Sequence, residues 1–140
     1  MSDKAGLVYS KGYAVDISKP RISHLLNFSM KNNFIIILVT CASKKEARLI
    51  VDALIAKRLI ACANIISGVE SLFRWKGKVK KAREILLVLK TEETKFRGTE
   101  SAIKLIHSYD LPEIIAVPVV AGNNHYLKWV SDSLKGKVGR

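Results

Sequence analysis

The chain has 140 residues, of which 49% are hydrophobic and 26% are charged, the usual balance for one soluble globular domain. Its longest apolar run, Phe34 to Val39, excludes a membrane-spanning helix, which needs about 20 such residues. Two cysteines, Cys41 and Cys62, exclude a disulfide framework and favour a reducing compartment, whereas the net charge of +12 favours an anionic partner.

Residues 1–33 differ from the rest of the chain because they show no sustained hydrophobic periodicity. We predict an N-terminal extension here, which lies on the body of the protein or on a neighbouring subunit, followed by a folded domain at residues 34–140. A secretory leader is not indicated, since the extension lacks an apolar central stretch. The cytoplasm is therefore the expected location, with organelle targeting by residues 1–33 left open.

The folded domain begins with a strand and a helix. Phe34 to Thr40 is short, apolar and rich in β-branched residues, which predicts a buried strand. Ser43 and Glu46 have the spacing of a capping box, in which Ser43 caps the helix and Glu46 reaches back. The predicted helix runs to about Lys57. Its inward face is formed by Ala47, Ile50, Val51 and Leu54.

A long β-hairpin is predicted next, around the polar turn Lys76-Gly77-Lys78. The strand before the turn alternates apolar and polar residues from Val69 onward, which is the pattern of a half-buried strand. The strand after it, Ile85 to Leu89, is apolar on both faces, which suits a strand covered on both sides. Phe73 and Trp75 lie near the tip and would be exposed in an isolated subunit, so the hairpin is predicted to be an arm used in assembly.

Two helices and a strand complete the pattern. Thr91-Glu92-Glu93 opens a second helix, because acids suit the positive end of the helix dipole. Glu113 to Val119 is a predicted strand, and its Pro118 indicates an edge position or a strand end. Asn123 is predicted to cap a last helix from Asn124 to Leu134. The inward residues of the two helices are Phe96, Thr99, Ile103 and Ile106, and then Leu127, Val130 and Leu134.

The predicted order is β-α-β-β-α-β followed by a helix, which is the α+β ferredoxin-like arrangement. Its sheet carries two helices on one face and leaves the other face bare. RNA-recognition domains share this order and stack bases on aromatics of the third strand, but here that strand, Glu84 to Lys90, has no aromatic residue. Nucleic-acid binding is therefore not favoured. The bare aliphatic face suits protein contact, and the predicted subunit interface contains Phe73, Trp75, Leu87 and Leu89.

The sequence has no recognisable pattern for catalysis. It contains no phosphate-binding loop, no dinucleotide-binding glycine motif and no nucleophile-elbow arrangement. The one obvious acidic pair, Asp110 and Glu113, flanks Leu-Pro and more simply caps or solvates a loop. We therefore expect a protein that is not an enzyme and that needs no organic cofactor.

Side chains that can ligate a metal are present, but no local spacing is typical of a metal site. Cys62 lies between two alanines and is most simply a small buried side chain. Cys41 directly follows a strand, where its thiol either reaches a ligand or stays buried. His107 lies at a helix C-terminus, where it either favours the helix dipole or, with Asp110 and Glu113, holds a divalent ion.

Several separated stretches carry a family resemblance. They are Arg58–Ile66, Phe73–Gly77, Leu89–Thr91, His107–Ile115 and Tyr126–Trp129. Over residues 34–134 the chain thereby resembles the CutA divalent-cation tolerance family. The resemblance implies a ferredoxin-like subunit and a tight homotrimer, with sheets packed inward and arms that cross between subunits. It also implies similarity to PII-type signalling trimers and a link to copper and other divalent ions.

The resemblance places metal ligands at His107 and Glu113. Some family members have a cysteine ligand at the position of Val39, and Cys41 two residues later is the candidate substitute. Copper, another divalent cation or a small ligand is therefore expected to bind in clefts between subunits. The residues expected to line these clefts are Tyr109, Asp110, Arg74 and Lys76.

A dense basic cluster around the hairpin tip supports a different interpretation. Its members are Arg74, Lys76, Lys78, Lys80, Lys81 and Arg83. Such a cluster favours a PII-like adaptor that senses an anion or a nucleotide and has no metal role. A purely structural trimer is the third alternative.

Overall fold

The computed structural model describes residues 7–10, 13–16 and 33–136, and the chain divides into two compact units, Met1–Lys31 and Asn32–Arg140. In the first unit, strand β1 (Leu7–Ser10) pairs antiparallel with β2 (Tyr13–Asp16), a hairpin that the sequence pattern does not indicate. The predicted contact of residues 1–33 with the body or a neighbour lies outside the described residues.

The second unit contains one four-stranded antiparallel sheet in the order β4-β5-β3-β6. Its elements in chain order are β3 (Phe34–Cys41), α1 (Lys44–Ala56), β4 (Cys62–Trp75), β5 (Lys78–Glu92), α2 (Phe96–Ile106), β6 (Ile114–Pro118) and α3 (Asn124–Leu134). This order confirms the predicted ferredoxin-like fold with its additional C-terminal helix. Along the described part of the chain, no helix combines the length and the apolarity that a membrane crossing requires.

One face of the sheet forms the core with α1 and α2. Alternate residues of β3 point into it, and Ile37 and Val39 have no exposed surface. Leu87 and Leu89 on β5 are equally buried in this core. The prediction that these two leucines contact a neighbouring subunit is therefore wrong, because strand alternation turns them towards the subunit's own helices.

The opposite face of the sheet carries apolar side chains that the described residues leave partly open. Leu38 on β3 pairs with Val88 on β5 and with Ile115 on β6, and Ile36 pairs with Val117 in a neighbouring row. Ile115 is 49% exposed and Val117 is 41% exposed. The predicted bare aliphatic face therefore exists, but it consists of the residues that alternate with Leu87 and Leu89.

The predicted helix boundaries hold at α1 and α3 and fail at α2. The side chains of Ser43 and Asn123 cap their helices, as predicted, by accepting from Glu46 N and Tyr126 N. The second helix does not open at Thr91, because β5 continues through Glu92, which pairs with Phe34. A short 3-10 turn, Glu93–Lys95, then leads into α2.

Gly98 in α2 has a packing reason that the sequence alone does not reveal. A Cβ atom at this position would lie 3.0 Å from a methyl carbon of Leu59. The glycine therefore lets α2 approach the segment that joins α1 to β4.

Candidate functional site

The hairpin of β4 and β5 forms a long arm, because its pairing runs from Cys62 and Lys90 out to Trp75 and Lys78. Lys76 and Gly77 make the turn with positive φ angles of 50° and 77°, as a tight two-residue hairpin turn requires. A register shift between Ile66 and Val69 interrupts the ladder, and such bulges bend and twist a strand. The arm is therefore a regular β-hairpin with a defined turn and not an irregular loop.

A groove of about 960 Å³ lies between the arm and the segment that follows α2. Phe73 and Trp75 line it from the arm, and each is 41% exposed. Tyr109, Asp110 and Glu113 line it from the opposite wall. The structure thus brings together the predicted arm aromatics and three of the predicted site residues.

Two residues that were predicted to line a ligand cleft do not line this groove. Arg74 lies between Phe73 and Trp75 on β4, opposite Val79 of β5. Lys76 belongs to the turn. Neither residue lines the groove. The basic residue of the arm that does line it is Lys80.

His107 is buried at the end of α2, and both of its ring nitrogens are used. Its Nε2 lies 2.7 Å from the carbonyl oxygen of Thr40, and its Nδ1 accepts from the Tyr109 N–H at 3.0 Å. Because a carbonyl can only accept and a backbone N–H can only donate, these two contacts are satisfied with a proton on Nε2 and the lone pair of Nδ1 directed at the Tyr109 N–H. Neither nitrogen has a lone pair left for a metal ion.

Cys41 is also buried and carries a neutral thiol. Burial, followed by the nearby carboxylates of Glu46 and Glu84, raises its pKa from 9.0 to about 12. A metal binds the thiolate rather than the thiol. Across residues 33–136, no three His, Cys, Asp or Glu side chains lie close enough together to hold a metal ion. One subunit therefore does not assemble the metal site predicted at His107, Glu113 and Cys41.

The buried acid of the groove is Glu84, which sequence reasoning missed as a site residue. Glu84 is 7% exposed, and its Oε2 accepts from the Tyr109 hydroxyl at 3.1 Å. Burial and this hydrogen bond raise the pKa of Tyr109 to about 12, so the phenol remains a donor at neutral pH. The sequence feature that could have indicated Glu84 is its position directly before the apolar strand segment Ile85–Leu89.

Glu46 fixes the wall of the groove rather than completing a capping box. Its carboxylate accepts from the backbone N–H of Ser108 and, at 3.1 Å, from the Ser108 hydroxyl. The same carboxylate lies 3.6 Å from Nδ1 of His107. The start of α1 and the end of β3 therefore hold the segment from His107 to Tyr109 in place, which positions Tyr109 over Glu84.

Comparison with known families identifies the type of protein. Residues 35–133 match the family model described as CutA1 divalent ion tolerance protein. The chain belongs to this CutA1 family. The resemblance seen in the sequence motifs is thereby confirmed, and the matched region contains the arm, the buried His107 and both walls of the groove.

Two relatives illustrate the similarity. The divalent-cation tolerance protein CutA of Thermus thermophilus is 40% identical over 98 residues, covering 70% of this chain and 95% of the relative. Its solved structure superposes with a TM-score of 0.68, covering 69% of this chain and 94% of that one. The chloroplastic protein CutA 1 of rice is 38% identical over 101 residues, which cover 72% of this chain. These residues span only 57% of the rice protein.

Proposed function

We propose that this CutA1 family member is a homotrimeric, non-catalytic binding protein of divalent-ion tolerance, and that its ligand enters the groove between the arm and the segment after α2. The observation that carries the proposal is the groove itself, which combines Phe73 and Trp75 with the carboxylates of Glu84, Asp110 and Glu113. Concave sites with aromatic walls and a few polar groups are the usual form of a ligand site.

The bare sheet face supports the homotrimer. Ile66, Ile115 and Val117 are between 41% and 49% exposed, and their neighbours across the sheet are also apolar. An apolar surface of this kind on a folded domain usually marks a protein interface. Light scattering at micromolar concentration is expected to give three times the chain mass of 15.6 kDa. A well-folded monomer under those conditions would contradict the proposal.

Ligand binding in the groove is tested by titration with divalent ions, because the description of the family names these ions. Calorimetry with Cu²⁺ and Zn²⁺ compares the native protein with a double variant, Asp110→Asn and Glu113→Gln. If a divalent ion is the ligand of the groove, removing two carboxylates from the wall should weaken its binding by about 10-fold or more. Glu93→Gln, an exposed acid outside the groove wall, is the matched control and should bind as the native protein does.

A second candidate, an anion- or nucleotide-sensing adaptor, is favoured by the charge on the arm. Of the six basic residues around the hairpin tip, only Lys81 forms an ion pair within the described chain, with Glu70 at 3.2 Å. Binding of a nucleotide or a polyanion that weakens steeply with salt, and that is lost when Lys76 and Lys78 become alanine, would favour this candidate.

We further propose a reducing compartment, with the cytoplasm as the expected one. Both cysteines are free thiols, and Cys62 is only partly buried. Such a thiol pair is typical of proteins kept under reducing conditions.

A further inference from the structure

The groove has a negative wall in a strongly positive protein. Four carboxylates line it, those of Glu70, Glu84, Asp110 and Glu113, together with the ammonium group of Lys80. Lys81 pairs with Glu70 at 3.2 Å, which leaves three of the four carboxylates without an ion pair among the described residues. The chain as a whole carries a net charge of +12. The sign of the groove is therefore opposite to that of the molecule, and a cationic ligand would be attracted to the groove and repelled elsewhere.

Glu84 lacks the cationic partner that a buried carboxylate usually has. It is 7% exposed, and within residues 33–136 its hydrogen bond comes from the Tyr109 hydroxyl while no Lys or Arg nitrogen forms an ion pair with it. Buried acids are rarely left without a paired charge. The phenol supplies a hydrogen bond but no positive charge, so the buried end of the groove has a free place for a cation.

The walls of the groove suit an organic cation better than a bare metal ion. Phe73, Trp75 and Tyr109 offer aromatic rings, whose faces attract ammonium groups once water is displaced. The acids do not converge in the described chain as three ligands around one metal position. A volume of about 960 Å³ is large enough for a small organic molecule.

We infer that the groove binds an extended organic ammonium ion, such as a linear polyamine, with one ammonium group at Glu84 and the other charge among the exposed carboxylates of Asp110 and Glu113. The aromatic side chains then cover the methylene chain between the charged ends. This inference rests on the proposed function, because it names the ligand class of the same groove.

Calorimetric titration of the full chain with spermidine tests the inference. The native protein is expected to bind, and Glu84→Gln is expected to lower the affinity by about 10-fold, since the variant removes the charge while its amide oxygen still accepts from Tyr109. Asp110→Asn, an exposed loop substitution that leaves the core untouched, should lower it as well. Glu93→Gln is the matched control and should leave it unchanged. A linear diol of the same length should not bind.

Three outcomes would overturn the inference, and the first two differ in what they say about the groove. If Cu²⁺ or Zn²⁺ binds and Glu84→Gln abolishes this binding while spermidine does not bind, the groove is the ligand site but the ligand class is wrong. If neither spermidine nor a metal ion responds to any groove variant, the proposed site fails together with the inference. Spermidine affinity equal in the native protein and in Glu84→Gln would also overturn it.

Discussion

At the scale of single residues, His107 supports the fold of the groove wall rather than a metal ion. Its ring bridges the Thr40 carbonyl and the Tyr109 N–H from a buried position. The sequence placed His107 correctly at a helix end but left its role open between a structural one and ligation. One of the two hydrogen bonds that decide between them joins residues 67 positions apart, which no local pattern reveals.

His107→Ala is expected to lower the free energy of unfolding by about 2–3 kcal/mol, because it leaves two partly buried backbone groups without partners and opens a cavity. Urea denaturation measures this change. The exposed His125→Ala is the matched control and should change stability by less than about 0.5 kcal/mol. Unchanged stability combined with lost Cu²⁺ affinity would instead support the metal role.

Cys41 gives a prediction about pH. Its pKa is raised from 9.0 to about 12, mainly by burial, so the folded state favours the neutral thiol. The stability that this group contributes is therefore complete below pH 9 and is lost as the pH rises towards 12.

In a Cys62→Ala variant, whose remaining thiol is Cys41, alkylation by iodoacetamide is expected to stay slow at pH 9 and to accelerate only at higher pH, since the thiolate is the nucleophile. The same variant in urea should react as an ordinary thiol does. Rapid reaction of the folded variant at pH 8 would contradict this assignment.

At the scale of elements, the sequence predicted the strands and helices because their hydrophobic periods are strong, and it failed where two elements meet. The predicted spacing on α1 appears in the structure, and burial on β4 alternates from Val69 to Leu72 before the exposed end of the strand. The start of α2 was misplaced because Thr91 and Glu92 complete the pairing of β5 with β3, a contact with a distant strand. Glu84 was missed for the same reason, since its partner Tyr109 lies on the opposite wall.

The arm depends on its turn, and Gly77 is the residue most sensitive to substitution there. Its φ angle of 77° is one that side chains with a Cβ disfavour, so Gly77→Ala is expected to destabilise the arm by about 1 kcal/mol. Hydrogen exchange should show faster exchange for the arm amides near Phe73 and Lys80, with β3 unaffected. Lys78→Ala, beside the turn but without a positive φ angle, is the control. Equal protection in both variants would contradict the argument.

At the scale of the whole molecule, two surfaces of opposite character define what the subunit can do. The bare sheet face is apolar, with Leu38, Val88 and Ile115 in one row, whereas the groove is lined by acids and aromatics. The sequence predicted that an apolar face would be left open, because a β-α-β-β-α-β order places both helices on one side. The sequence analysis placed Leu87 and Leu89 on that face, whereas the structure places Val88 there. When a strand is apolar on both faces, its sequence does not indicate which alternate residues face the core.

Ile115→Lys tests whether the bare face holds copies of the chain together. The side chain is 49% exposed in the subunit, so the substitution leaves the core intact, but in a packed interface it would bury an unpaired ammonium group. The expected result is a folded monomer at concentrations where the native protein gives the mass of an oligomer, measured by light scattering and circular dichroism. Leu105→Lys is the matched control, because Leu105 is 84% exposed on α2, the other side of the sheet. A variant whose mass and stability equal those of the native protein would show that the subunits do not associate through this face.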